Sequence, residues 1–200
     1  MNSTDPPHSP NSVLLFVLNL IHKVFGHVQW QAPEWIHWIG PQFRKAGRFP
    51  IADRKRLITY VEIDRCVTDA VALVANCRLG KRALKFRDWG KVAATFCDLQ
   101  TGRAVRIAAK ESSKQAAKDL FPELPREEGQ QKAYAQLPDD VLFSKQWVKV
   151  DVQPEDLPGF KGPRIVCAEC GEGINFKREV TQNGRTLCRA CAGGRYYSAL

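Results

Sequence analysis

Two pairs of cysteines near the C-terminus have the residue type and the spacing of a metal site. The pairs are Cys167/Cys170 and Cys188/Cys191, each with two residues between its cysteines, and seventeen residues separate the pairs. A CxxC turn directs two sulfurs towards one point, and Zn²⁺ takes four such thiolates in a tetrahedron. The spacing therefore predicts a zinc site formed by all four cysteines. Free thiols and disulfides are the alternatives, and disulfides would need an oxidising compartment.

The residues around these cysteines predict a small zinc finger over residues 164–200. Gly171 follows the first pair, at a position where the turn needs a positive φ. Phe176–Val180 and Arg185–Leu187 are predicted strands, and Asn183-Gly184 between them is typical of a hairpin turn. With the last pair entering a helical turn, the pattern is that of a treble-clef finger. So small a unit buries little apolar surface, and we expect the metal to stabilise it.

The rest of the chain is long enough for one main domain. The sequence has 200 residues, of which 44% are hydrophobic and 26% charged, as in ordinary globular proteins. We predict a core domain at 12–152 and a linker rich in proline and glycine at 153–163. Helical patterns come first and strand patterns follow, which indicates an α+β fold with N-terminal helices packed on an antiparallel sheet.

Apolar periodicity and turn residues predict the individual elements of this domain. Two helices are predicted before residue 44, the first from Asn11 or Ser12 to about Phe25 and the second starting at Pro33-Glu34. A later helix is predicted from Thr68 to Ala75, with Thr68 or Asp64 as its cap. The other predicted strands and helices are Leu57–Ile63, Leu84–Phe86, Val92–Cys97, Ala104–Ala108, Ser113–Leu120, Arg126–Ala135, Asp139–Phe143 and Trp147–Val152.

Charge and hydropathy bear on partners and location. The net charge of +9 favours anionic partners such as nucleic acid, acidic lipid, a phosphorylated ligand or an acidic protein, and solubility is the alternative explanation. The apolar run Val13–Ile21 is shorter than the about 20 residues that span a bilayer. Residues 1–12 contain no Lys or Arg that would begin a signal peptide. We therefore expect a cytoplasmic protein without membrane contact.

The middle of the chain contains a second set of residues that packing alone does not explain. The set comprises Phe25-Gly26-His27, Asp64-Arg65-Cys66, Asp69-Ala70, Asn76-Cys77, Gly80-Lys81 and Asp88-Trp89-Gly90-Lys91. In these motifs the chain resembles the FmdE family, named for a component of formylmethanofuran dehydrogenase. Residues 64–70 match its D-x-C-x-x-D-A helix, residues 76–84 its GC-x-x-GK-x-x-L segment and residues 88–96 its D-x-GK-x-A-x-x-F strand. Many members end in a finger similar to residues 187–197.

The resemblance implies a Cys/His site in the core. Its candidate catalytic residues here are His27, Cys66, Asp69, Cys77 and Lys81. Each has a structural alternative, namely an inert buried thiol, a carboxylate that only complements a helix dipole, or a solvated cation. The family's HGHxC start is altered, because a phenylalanine and a glutamine stand where a histidine and a cysteine would be. We therefore expect a degenerate site, unless His22 or His37 replaces the missing donors.

Three functions follow from these observations. The first is an accessory subunit that binds a ligand or a partner and is linked, through the resemblance, to molybdenum or tungsten formylmethanofuran dehydrogenase-type oxidoreductases. The second is a catalytic subunit that uses the core site, and the third, less favoured, is a nucleic-acid-binding zinc-finger protein. The chain contains no cysteine run for an iron–sulfur cluster. Trp30, Trp35, Trp38 and the apolar run Val13–Ile21 predict a homodimer, because they offer more apolar surface than one small domain buries.

Overall fold

The computed structural model describes residues 55–198, and these form two units. The first unit ends at Val150 and the second begins at Asp151. His27, the apolar run Val13–Ile21, the three N-terminal tryptophans and both predicted N-terminal helices lie outside the described residues. No helix within residues 55–198 has both the length and the apolar character needed to cross a membrane.

The first unit is built on a five-stranded sheet. Its strands are β1 (Leu57–Val61), β2 (Leu84–Phe86), β3 (Ala93–Asp98), β4 (Ala104–Ala109) and β5 (Phe143–Val148), in the order β2-β1-β3-β4-β5. All five residues of β1 and all six of β3 are buried, as their nearly continuous runs of apolar residues require. The core of this unit therefore lies against the middle of the sheet.

Helices follow the strands, and the predicted α+β class is confirmed. The helices are α1 (Cys66–Val74), α2 (Ser112–Leu120), α3 (Arg126–Gln136) and α4 (Asp139–Leu142). α1 packs on the sheet through Ala70 and Val71, which share a buried cluster with Leu84, Phe96 and Val105. α1 begins two residues before the predicted start, and the Thr68 hydroxyl lies within it and donates to the carbonyl of Ile63.

The sheet is antiparallel except for one pair of strands. β1 and β2 run parallel, with Thr59 opposite Leu84 and Val61 opposite Phe86. The chain passes through α1 between these strands, and such a strand–helix–strand crossover returns it to the end of the sheet from which it started. The purely antiparallel sheet expected from the sequence therefore holds for three of the four strand pairs.

The last strand of this sheet begins earlier than predicted. The sequence pattern favoured Trp147–Val152, but β5 pairs with β4 from Phe143, opposite Ala109, to Val148, opposite Ala104. β5 lies at the edge of the sheet and most of its residues are exposed. An exposed edge strand has no apolar alternation, which is why its start could not be predicted from the sequence.

The second unit consists of two small hairpins and a short helical segment. β6 (Ile165–Val166) pairs with β7 (Gly173–Ile174), β8 (Val180–Gln182) pairs with β9 (Arg185–Leu187), and helical residues follow at Ala190–Gly194. The predicted Asn183-Gly184 turn is present, with φ of 51° and 72°. The predicted strand Phe176–Val180 was wrong at its start. Phe176 and Lys177 have φ of 59° and 53°, which a strand cannot accommodate.

Candidate metal centre

The four cysteines of the second unit converge as their spacing predicted. The sulfurs of Cys167, Cys170, Cys188 and Cys191 all lie within 4.8 Å of one another. A zinc tetrahedron with bonds of about 2.3 Å has sulfur–sulfur edges of about 3.8 Å. The Cys170 and Cys188 sulfurs are 3.9 Å apart. Both the donor set and its size therefore fit zinc. Within residues 55–198 no other group of three or more His, Cys, Asp or Glu side chains could hold a metal.

Backbone turns place the first pair of cysteines. Gly171 adopts a φ of 74°, which a residue with a side chain rarely takes, and its N–H donates to the carbonyl of Cys167 at 3.1 Å. The N–H of Cys167 in turn donates to the carbonyl of Glu172 at 2.9 Å. These bonds close a tight knuckle that fixes both sulfurs of the pair relative to one another.

The second pair follows β9 directly and begins a helical turn. The N–H of Ala192 donates to the carbonyl of Cys188 at 2.9 Å, which is the first bond of that turn. The N–H of Ala168 donates to the carbonyl of Thr186 at 2.9 Å and joins the knuckle to β9. The arrangement of knuckle, hairpin and terminal helical turn is the predicted treble clef.

Backbone N–H groups also donate to two of the four sulfurs. The N–H of Cys188 donates to the Cys167 sulfur at 3.3 Å, and the N–H of Cys191 donates to the Cys188 sulfur at 3.4 Å. The N–H groups of Cys170, Cys188 and Glu169 lower the pKa of Cys167 to about 6. Because zinc binds thiolates, a sulfur that is already deprotonated near neutral pH loses little free energy when it binds the metal.

A cation and a carboxylate lie beside the cluster. Arg195 donates from its guanidinium to the Cys191 sulfur at 3.3 Å, and the same nitrogen is 3.7 Å from a carboxylate oxygen of Glu169. The other oxygen of Glu169 is 3.9 Å from Arg185, which also donates to the carbonyl of Ala168 at 3.2 Å. Zinc with four thiolates carries a net charge of about −2, so a cation bonded to one sulfur offsets part of that charge.

A zinc ion at this centre would have a structural role. Four protein sulfurs complete the coordination of zinc and leave no position for a substrate. The apolar core of the second unit consists of Cys167, Ile174 and Leu187, with partly buried residues packed against it. So few buried side chains cannot fold such a unit by themselves, and bound zinc would supply most of the stabilisation.

Among the described residues of the first unit, the candidate site residues do not form a comparable cluster. Cys66 is the exposed first residue of α1, whereas Cys77 lies beyond its last residue and is buried. Nine residues of helix span about 13 Å, so α1 holds these two sulfurs apart. Asp69 and Lys81 are both exposed, on α1 and on the short helical turn Leu79–Lys81.

Cys77 has the character of a core residue. Its side chain is 2% exposed, and its sulfur lies 4.0 Å from the carbonyl of Val71. Burial raises the pKa of the Cys77 thiol to about 11. The thiol is therefore protonated at neutral pH and is a poor nucleophile or metal ligand as it stands.

Two partly buried ion pairs in the first unit were not predicted from the sequence. Arg106 donates to both oxygens of Glu62 at 2.7 and 2.6 Å, and Arg56 donates to both oxygens of Asp98 at 2.7 Å. The partners are 44 and 42 residues apart in sequence. The sequence offered only one acidic residue inside or at the end of each apolar strand. Such a residue indicates a buried carboxylate but does not identify its partner.

Comparison with known proteins identifies both parts of the chain. Residues 39–146, more than half of the sequence, match the family described as "FmdE, Molybdenum formylmethanofuran dehydrogenase operon". The chain belongs to the FmdE family. In this FmdE protein, residues 162–197 also match the "Prokaryotic dksA/traR C4-type zinc finger". The resemblance seen in the sequence motifs is thereby confirmed, as is a C4-type finger at the C-terminus.

Two known proteins are similar to this FmdE protein. A "Probable S-adenosyl-L-methionine-binding protein" of Archaeoglobus fulgidus is 29% identical over 164 residues, which cover 70% of the chain and 42% of that relative. The chain thus spans less than half the length of this curated relative. A crystal structure of a tungsten formylmethanofuran dehydrogenase FmdE-like protein from Syntrophus aciditrophicus matches with a TM-score of 0.49 and 24% identity. This match covers 71% of the chain and 74% of that protein.

Proposed function

We propose that this FmdE protein is a non-catalytic accessory subunit, stabilised by zinc, that binds a ligand or a partner protein of a formylmethanofuran dehydrogenase-type oxidoreductase. The observation that carries the proposal is the closed four-cysteine cluster, set against a first unit whose thiols lie apart. A metal that is fully coordinated by protein sulfur stabilises a fold and leaves catalysis to other groups. The link to this class of oxidoreductase is supported by the family that residues 39–146 match.

The first unit lacks the donors for a tight metal site among its described residues. Cys66 and Cys77 are separated by α1, and Cys77 is protonated at neutral pH. A transition metal held tightly needs three or four donors that converge. We therefore expect His27 to have too few neighbouring donors to complete such a site, unless His22 or His37 supplies them.

A metal count on the untagged full chain tests the non-catalytic assignment. We expect one zinc per chain by inductively coupled plasma mass spectrometry after dialysis against a mild chelator. The double change Phe25→His with Gln29→Cys restores the donors of the family motif and should raise the count to two. Two tightly held metals in the unmodified protein would contradict the proposal and would favour the catalytic alternative.

The partner is tested by direct association. The purified chain, mixed with a purified molybdenum or tungsten formylmethanofuran dehydrogenase that lacks its own FmdE component, should co-elute with it in size-exclusion chromatography. A Cys188→Ala variant, in which we expect the second unit to unfold, shows whether that unit takes part. Separate elution at micromolar concentrations of both proteins would contradict the assignment to this partner.

A second candidate function is the binding of S-adenosyl-L-methionine. The relative that matches over 70% of the chain is described as binding this molecule, and the match extends over more residues than the zinc finger contains. Isothermal titration calorimetry of the full chain with S-adenosyl-L-methionine, with ATP as the control for the adenosine group, tests this function. No heat of binding with S-adenosyl-L-methionine, or equal affinity for ATP, would count against it.

Two further expectations concern assembly and nucleic acid. We propose a homodimer, which light scattering at micromolar concentration checks, and a monomer there would overturn it. We rank nucleic acid lower, because Arg185 and Arg195 of the finger both lie beside Glu169, whose carboxylate offsets part of their charge. A gel shift that weakens steeply with added salt would reverse that ranking.

A further inference from the structure

A cavity of about 430 Å³ lies between α2 and α3 in the first unit. Its apolar lining includes Ala117 from α2 and Phe121 and Leu124 from the turn that joins the helices. The turn is held by the N–H of Phe121, which donates to the carbonyl of Ala117, and by the N–H of Leu124, which donates to the carbonyl of Phe121, both at 3.3 Å. These hydrogen bonds hold the turn in place, and its apolar side chains line one side of the cavity.

Gly129 lies where α3 packs against this turn. It is buried within α3, and a methyl group at its position would lie 3.5 Å from the Phe121 carbonyl and 3.6 Å from the Leu124 side chain. A larger side chain would push the helix away from the turn.

Every charged side chain that lines the cavity is cationic. The three are Lys114 and Lys118, one turn apart on α2, and Arg126, the first residue of α3. Lys114 is paired with Glu111 at 2.6 Å, whereas Lys118 and Arg126 make no ion pair within the described part of the chain. No side chain caps the N-terminus of α3, and the two acidic residues of its first turn, Glu127 and Glu128, lie outside the lining.

We propose that this cavity binds a small carboxylate with an apolar tail. The volume lies within the range of small-molecule sites, about 300–1,000 Å³. The carboxylate would be held by Lys118 and Arg126, since a guanidinium and a carboxylate form strong charge-assisted hydrogen bonds. The tail would lie over Phe121 and Leu124 and lose its contact with water. A cavity with both cationic and apolar groups favours a ligand that has an anionic part and an apolar part.

Three probes that share one tail test the selectivity. Octanoate, octan-1-ol and octylammonium are titrated into the full chain, and binding is followed by isothermal titration calorimetry and by amide shifts in NMR spectra. We expect octanoate to bind about tenfold more tightly than octan-1-ol, the ratio that one charge-assisted hydrogen bond supports, and octylammonium not to bind. Equal affinity for octanoate and octan-1-ol, or no binding of octanoate at millimolar concentration, would overturn the proposal.

Charge variants test which residues hold the carboxylate. The double change Lys118→Gln with Arg126→Gln should weaken octanoate binding about tenfold or more and leave octan-1-ol binding unchanged. The control is Lys132→Gln with Lys149→Gln, which removes the same charge from residues outside the lining. All four residues are exposed, so both variants are expected to fold, and circular dichroism verifies this. Equal loss in both variants would show a general charge effect and refute the site.

Discussion

Cys77 in the first unit and Cys167 in the second are buried to the same extent, each 2% exposed, yet their pKa values move in opposite directions. Burial raises the pKa of Cys77 to about 11, whereas N–H groups of Cys170, Cys188 and Glu169 lower that of Cys167 to about 6. Desolvation disfavours a thiolate, and hydrogen bonds to it favour it. The N–H groups that point at Cys167 therefore favour its thiolate, the form that zinc binds, although its side chain is buried.

The two units also differ in what holds them together. A buried cluster of twelve residues, centred on β1, β3, β4 and α1, fills the core of the first unit. The core of the second unit consists of three buried residues, and one of them is Cys167 of the metal site. Apolar burial can therefore stabilise the first unit, while the second depends on its metal.

Removal of one finger cysteine should have the largest effect. Cys188→Ala takes away a ligand and an acceptor of the Cys191 N–H, so the second unit should lose zinc and unfold. Structural zinc contributes on the order of 10 kcal/mol to such units. Zinc content by mass spectrometry and proteolysis beyond Val150 measure the two effects. Cys66→Ala is the matched control, and full zinc retention by Cys188→Ala would refute the assignment.

Loss of a buried carboxylate should weaken the first unit alone. Arg56 lowers the pKa of Asp98 from 3.8 to about 2. The resulting stability is fully present above the unfolded-state pKa and is lost as pH falls from about 4 towards 2, and it corresponds to roughly 2 kcal/mol. Asp98→Asn should therefore lower the free energy of unfolding by about that amount at pH 7 and remove this pH dependence.

Tryptophan fluorescence is a selective measure of that change. All five tryptophans precede Val150, so the signal during urea unfolding reports the first unit and not the zinc finger. Asp88→Asn, at an exposed residue, is the control and should leave the free energy of unfolding within about 0.5 kcal/mol of the wild-type value. The same acid dependence in Asp98→Asn as in the wild type would contradict the explanation.

A change from sulfur to oxygen at Cys77 should have a smaller effect. Cys77→Ser buries a hydroxyl in place of a thiol and should destabilise the first unit by about 1 to 2 kcal/mol while the zinc content stays at one per chain. Cys66→Ser, at an exposed site, should be nearly neutral. Urea unfolding with a parallel zinc assay measures both. Loss of zinc on Cys77→Ser would show that Cys77 holds a metal.

The weakest predicted effect concerns the cation beside the cluster. Arg195→Gln removes the charge that is bonded to the Cys191 sulfur, and zinc affinity should fall about tenfold. Competition with a chromophoric chelator gives the affinity, and Arg189→Gln, exposed and in the same segment, is the control. An equal affinity in both variants would mean that the Arg195 contact contributes nothing to metal binding.

Much of the fold was predictable where local pattern decides it. The buried strands β1, β3 and β4 have strong apolar patterns, and α2 and α3 were predicted to within one residue at each end. β5 was misplaced because an exposed edge strand lacks such a pattern. The parallel pairing of β1 and β2 was also missed, since strand direction depends on where α1 crosses the sheet.

The metal centre could be predicted without a structure, because each CxxC pair is set by a turn of a few residues and the hairpin between the pairs closes at Asn183-Gly184. The chemistry of the first unit depends instead on its tertiary structure. The fold buries Cys77 while leaving Cys66 at the far end of α1, and it joins Arg56 to Asp98 across 42 residues. The physical reason is the sequence separation over which each interaction acts. A turn is set by a few neighbouring residues, whereas burial and ion pairing depend on which distant segments the sheet brings together.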